Sequence, residues 1–196
     1  NGQTGHNSQT VYSSPVQVPG TTWAQVECGE NHMLATKTNG TLWAWGGNNH
    51  GQLGQGNGTL RSSPIQIPGT TWGGATKSAS TYTSCFNIKT DGTLWSWGYN
   101  NHGQLGQNNL TAYNSPVQVP GTTWNSVRAF RLGALAIKTD GTLWSWGRNA
   151  AGQLGHNSTT SRSSPVQIGS GTDWDKIGGG DNAAYAMKTD GTLWNW

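Results

Sequence analysis

One short string, Gly-Thr-Leu-Trp, constrains this chain more than any other. It recurs with its Trp at 43, 95, 144 and 194, a period of about 50 residues. Other elements keep the same phase. Gly-Gln-Leu-Gly starts at Gly51, Gly103 and Gly152, with Gly2-Gln3-Thr4-Gly5 as a degenerate copy, and Ser-Pro-Val/Ile-Gln-Val/Ile recurs around Pro15, Pro64, Pro116 and Pro165. A further Trp follows a Gly/Thr turn at 23, 72, 124 and 174, so all 12 tryptophans fall three to a repeat. The repeats run approximately 1–49, 50–101, 102–150 and 151–196 of one 196-residue domain. A chain built this way stacks copies of one small unit, because no single copy can bury its own apolar face.

The unit reads as β throughout. Asn39-Gly40, Asp91-Gly92, Asp140-Gly141 and Asp190-Gly191 each separate two strand-like runs. That dipeptide is the strongest short hairpin signal and predicts a type I′ turn. Two more strands are expected per repeat, around Pro165–Ile168 and Trp174–Ile177 in the last copy, with Pro at a strand start where its missing N–H costs least. No helical periodicity of useful length occurs. Four short strands per repeat predict an all-β fold of propeller blades. On a strand, Trp144 and Trp146 share one face and Leu143 and Ser145 the other. The expectation is that both indoles are buried against the small residues of a neighbouring blade.

The pattern Gly-Thr-Leu-Trp-Ser-Trp-Gly-x-Asn-x-x-Gly-Gln-Leu-Gly, the downstream Pro and the element Cys28-Gly29-Glu30-Asn31-His32 resemble the repeats of the regulator of chromosome condensation family, in a bacterial or phage-like form. The resemblance spans essentially the whole chain. It implies a β-propeller of four-stranded blades, usually seven, whereas four repeats are present here. The reading favoured is a segment of a larger ring or array; completion by other copies and a four-bladed closure stay open. Asn1 aligns with Ala151 and Trp196 with Trp146, so both ends fall in the same linker.

Composition narrows the function classes. Charged residues are 10%, against about 25% in a typical domain, and the net charge is +3. No two basic residues adjoin, which argues against nucleic acid as a partner, and no apolar stretch approaches a membrane span. Cover by Asn, Gln, Ser, Thr and Gly suits an extracellular or virion β-protein, which is the expected location.

Catalysis has little to stand on. Asp91, Asp140 and Asp190 occupy the hairpin turn, where Asn39 replaces them, so a turn role explains both residue types and an acid–base role does not. His6, His50, His102 and His156 swap with Gln or Ala in other copies and are expected to be solvated. Cys28 and Cys85 stand where other copies hold small residues or Met, so both are expected to be buried and inert. Lys37, Lys89, Lys138 and Lys188 recur once per repeat; a ring of ammoniums facing a negative partner is possible in principle, but solubilising the hairpin end is preferred. No metal or cofactor is called for.

What differs between copies points to binding instead. Three residues before each Pro stand Tyr12, Arg61, Tyr113 and Arg162; seven before each repeat Lys stand Glu30, Tyr82, Arg131 and Asp181; after Trp-Gly stand Gly47, Tyr99 and Arg148. Tyr and Arg are enriched at interfaces, and loops on a rigid scaffold are where binding concentrates. Apart from Gly47, these ten positions are the expected contact residues of a non-enzymatic scaffold for a protein or glycan. The resemblance implies two alternatives, a nucleotide-exchange regulator of a small GTPase and a propeller that inhibits an enzyme through its loops. The Gly-Trp-Arg-His-Thr element of the family's plant light sensors is absent.

Overall fold

The computed structural model describes residues 2–73 and 77–196; Asn1 and residues 74–76 lie outside that description. Among the described residues it holds 15 strands in antiparallel meanders. The first blade is β1 (Trp23–Cys28), β2 (His32–Lys37), β3 (Leu42–Gly46) and β4 (Arg61–Ile67). The second is β5 (Ser78–Ser80), β6 (Ser84–Ile88), β7 (Leu94–Gly98) and β8 (Tyr113–Gln118). The third is β9 (Trp124–Phe130), β10 (Gly133–Lys138), β11 (Leu143–Gly147) and β12 (Arg162–Gln167). A three-stranded fourth sheet comprises β13 (Trp174–Gly179), β14 (Ala184–Lys188) and β15 (Leu193–Asn195). Each full blade draws its outermost strand, the Ser-Pro segment, from the sequence copy that follows. The first strands touch in succession, β1 to β5, β5 to β9 and β9 to β13, which makes them the inner edge of an arc of blades.

The hairpin turns differ from the type I′ expectation. Gly141 has φ +77°, whereas Asp140 is not in the positive-φ region. The N–H of Gly141 bonds the Lys138 carbonyl at 3.0 Å and that of Lys138 bonds the Thr142 carbonyl at 3.1 Å. This is a three-residue loop, a type I turn closed by a left-handed Gly. Asp suits it for another reason. Asp140 Oδ1 accepts from the Thr142 N–H and hydroxyl at 3.0 and 2.7 Å, and Thr142 Oγ1 accepts from Trp144 Nε1 at 2.8 Å. The relay repeats from Asn39 through Thr41 to Trp43 and from Asp91 through Thr93 to Trp95. The Thr of Gly-Thr-Leu-Trp thus anchors the first indole.

The two indoles of the doublet have different surroundings, which corrects the expectation that both are buried. Trp97 and Trp146 are fully buried, while Trp95 and Trp144 are half-buried. The second indole fills the gap between blades: Trp97 packs with Leu34, Leu42, Ala44 and Ile67 of the blade before it. Its Nε1 donates to the Gln52 carbonyl at 2.9 Å, and Trp146 does the same to Gln104 at 2.8 Å. The Gly-Gln-Leu-Gly linker is held in turn by a buried Asn, since Asn48 Oδ1 accepts from the Leu53 N–H at 2.9 Å. Asn100 and Asn149 repeat that bond to Leu105 and Leu154. The long motif is therefore one hydrogen-bonded unit that clips each blade to the next.

Candidate interaction face

In an antiparallel meander the first strand ends where the second begins, and the third ends where the fourth begins, all at one end of the blade. The registers Cys28↔Met33, His32↔Gly46 and Gly46↔Arg61 show this for the first blade. All three sets of variable positions, Tyr12 apart, fall at that end. Glu30, Tyr82, Arg131 and Asp181 sit in the loops between first and second strands, and so ring the mouth of the arc. They line one cavity of about 370 Å³, together with Cys28 and Phe130. Arg131 lies over the Tyr82 ring at 5.2 Å and reaches the Asp181 carboxylate at 4.0 Å. From the third blade it thereby links the loops of the second and the fourth. Arg128 of β9 and Glu27 of β1, on the inner strands of the third and first blades, approach to 4.0 Å.

Tyr99 and Arg148 form the next ring outward. Their N–H groups donate to the Thr83 and Leu132 carbonyls at 3.0 and 2.9 Å, and Gly47 does the same to Asn31 at 2.6 Å. Arg61, Tyr113 and Arg162 open the outer strands opposite Gly46, Gly98 and Gly147. Tyr99 stands edge-on to His50 at 4.9 Å, and the Tyr113 hydroxyl accepts from Asn109 Nδ2 at 3.0 Å. Tyr12 is the exception: it lies outside the strands, edge-on to His6 at 5.1 Å, and no strand pairing brings it to this face.

The opposite end of each blade corrects the reading of the lysines. They do not project into solvent to solubilise the hairpins. Lys37 Nζ lies 4.7 Å from the Trp23 ring and 4.5 Å from the Trp43 ring. Lys89 and Lys138 are clamped in the same way between Trp72 and Trp95 and between Trp124 and Trp144. Each ammonium bridges the first-strand and third-strand indoles of its own blade, an attraction worth about 0.5–2 kcal/mol. The signal was readable, because Lys37 stands directly across from Trp23 once the hairpin register is known.

The buried chemistry is inert. His32 Nε2 lies 3.0 Å from Cys85 Sγ, and that thiol bonds the Gln52 carbonyl at 3.2 Å. Burial lowers the His32 pKa to about 4 and pushes the Cys85 thiol up, so neither ion forms at neutral pH. Cys28 is exposed, against the expectation of burial: it shares a face of β1 with the exposed Val26, whereas the counterparts Val127 and Ala129 of the third blade pack against the blade before them. Its thiol is also raised, by partial burial and then by the Glu27 carboxylate, which disfavours the reactive thiolate. His156 is half-buried rather than solvated, with Nε2 3.1 Å from Ser145 Oγ, and His6 Nε2 lies 2.8 Å from the Gln17 carbonyl. Among the described residues, no group of three or more His, Cys, Asp or Glu is placed to hold a metal ion, and no helix is long and apolar enough to cross a membrane.

Antiparallel four-stranded blades in an arc around a loop-lined mouth define a β-propeller repeat protein. The chain belongs to the family described as the regulator of chromosome condensation (RCC1) repeat, which it matches over residues 39–80, 91–134 and 140–187, with a second description of the repeat matching 23–52. It is similar to the X-linked retinitis pigmentosa GTPase regulator of dog and of human, each 34% identical over 123 residues. That match takes in 60% of this chain and only 12% of those proteins. Among solved structures, human WBSCR16 superposes with a TM-score of 0.83 at 20% identity, over 100% of this chain and 55% of its own. Prp20p from Saccharomyces cerevisiae superposes with a TM-score of 0.78 at 19% identity, over 93% of this chain and 48% of its own. Those two likenesses establish the fold.

Proposed function

We propose that the chain is a non-enzymatic scaffold that docks a protein partner on its loop face, through Glu30, Tyr82, Arg131 and Asp181 at the mouth and Tyr99, Arg148, Arg61, Tyr113 and Arg162 around it. One observation carries this reading: nine of the ten variable positions share one end of the blades, while the repeated residues build the walls. Arg131 suits an anchor, since its stacking on Tyr82 preorganises a side chain that otherwise loses entropy on binding. Support also comes from Prp20p, which is described with its binding to Gsp1p and histones.

The test begins with a photo-crosslinking residue at Tyr82 and, separately, at Thr90 on the hairpin end. Crosslinks from Tyr82 identify the partner, whose affinity is then measured with purified proteins. Arg131→Ala and Tyr113→Ala are expected to weaken it about tenfold or more with melting unchanged. Crosslinking from Thr90 alone, or unaltered affinity in both variants, overturns the assignment. Because two relatives are named GTPase regulators, a small GTPase is the first candidate to try. Acceleration of nucleotide release would make the chain a regulator rather than a passive binder.

A further inference from the structure

The hairpin end carries its own repeated groove, distinct from the loop face. In the first blade a cavity of about 400 Å³ is lined by Trp23, Lys37 and Trp43, by Ser63 and Pro64 of the outer strand, and by His6 and Asn7 of the linker. In the second, a cavity of about 310 Å³ is lined by the counterparts Trp72, Lys89, Trp95, Ser115, Pro116 and Gln55. The floor is a half-buried indole, Trp43 or Trp95, and the rim carries hydroxyl, amide and imidazole groups.

The charge in these grooves is one-sided. Among the described residues, Lys37, Lys89 and Lys138 make no ion pair, whereas Lys188 Nζ lies 3.1 Å from the Asp173 carboxylate. Asp173 stands where the first three blades have Thr22, Thr71 and Thr123, immediately before the first-strand Trp. The fourth blade thus shows what a carboxylate does when one is supplied: it settles on the clamped ammonium. In the first blade no acid lines the groove, and the nearby turn residue is Asn39 rather than Asp.

We propose that the first-blade groove binds a carboxylated sugar residue, a uronic acid, with the second and third blades as weaker copies. The Lys37 ammonium takes the carboxylate in the way Lys188 takes Asp173. The exposed part of Trp43 receives the C–H face of the pyranose ring. His6, Asn7 and Ser63 are the polar groups within the same walls for its hydroxyls. An aromatic floor with a few convergent polar groups is the usual build of a small-ligand site. The ammonium is already held by two indoles, so little freedom remains for it to lose. In the second and third blades Asp91 and Asp140 stand in the turn in place of Asn39, and their charges weaken an anion at Lys89 and Lys138.

The test is calorimetric titration of the chain with a galacturonic acid trimer, a neutral galactose trimer and a glutamate trimer. Binding of the galacturonate is expected with Kd on the order of 1 mM, and about tenfold weaker or undetectable binding of the other two. Lys37→Gln is expected to weaken it about tenfold. Ser63→Asp, which sets a carboxylate in the wall of the groove, should do the same, and it stands in if Lys37→Gln does not fold. Failure to bind galacturonate, equal binding of the neutral sugar, equal or tighter binding of the glutamate trimer, or full binding by Ser63→Asp each overturns the proposal. The loop-face reading does not depend on the result.

Discussion

The third and fourth blades carry the same motif and bury it differently. In the third, Leu143 is fully buried and Trp144 half-buried; in the fourth, Leu193 is 65% exposed and Trp194 50% exposed. The sequence Gly-Thr-Leu-Trp is identical, and the relay from Asp190 through Thr192 to Trp194 is intact, with 2.7 and 3.1 Å bonds. What differs is the surroundings. Leu143 packs with Ala186 and Ile177 of the blade after it, and Trp144 is covered by the pairing of β11 with β12 at Gln167. β15 pairs with β14 alone. The motif thus supplies local geometry, and its neighbours supply the burial, as expected when a repeat array is stabilised by interfaces between units.

That contrast can be broken in graded steps. The largest effect is expected from Trp146→Ala, about 3–5 kcal/mol lost in denaturant unfolding; at equivalent positions of the third and fourth blades, Leu143→Ala should cost about 2–5 kcal/mol against about 1 kcal/mol for the exposed Leu193→Ala. Equal losses would mean that burial does not decide the motif's worth. Next comes a glycine pair. A Cβ on Gly103 would meet Ser163 Cα at 2.6 Å, while one on Gly152 would meet nothing within 4 Å, and both residues have positive φ. Gly103→Ala is therefore expected to cost about 3 kcal/mol, and Gly152→Ala only the backbone strain of about 1–2 kcal/mol. A smaller and pH-dependent effect belongs to the interface of the first two blades. His32 titrates at about 4 in the fold against 6.5 when free, so the unfolded chain binds the extra proton between those values. Stability should be full above about 6.5 and fall as the pH drops toward 4. Melting curves of His32→Ser, which copies Ser84 of the second blade, should lose that pH dependence.

Much of this was legible in the sequence, for identifiable reasons. Repetition with alternation placed Leu143, Trp144 and Trp146 on a blade strand, and the parity of a meander put Glu30, Tyr82, Arg131 and Asp181 at one end. What escaped notice were relations across strands or across blades. The Lys37 clamp needs the register of β1 with β2, and the His32–Cys85 contact joins two blades 53 residues apart, with no local signal. Cys28 misled because the other copies hold small residues there; the counterpart Ala129 packs against the blade before it, and the same face of β1 is exposed. The turn type was missed because Asp-Gly fits two loop lengths, and the Thr relay that selects between them is a side-chain effect.

The division between a repeated scaffold and a variable working face rests most directly on Arg131. Its partner affinity and its melting temperature, measured on the same Arg131→Ala sample, test that division together. The account predicts wild-type melting with affinity down about tenfold or more. Wild-type affinity, or a loss of stability as large as that of Trp146→Ala, would contradict it.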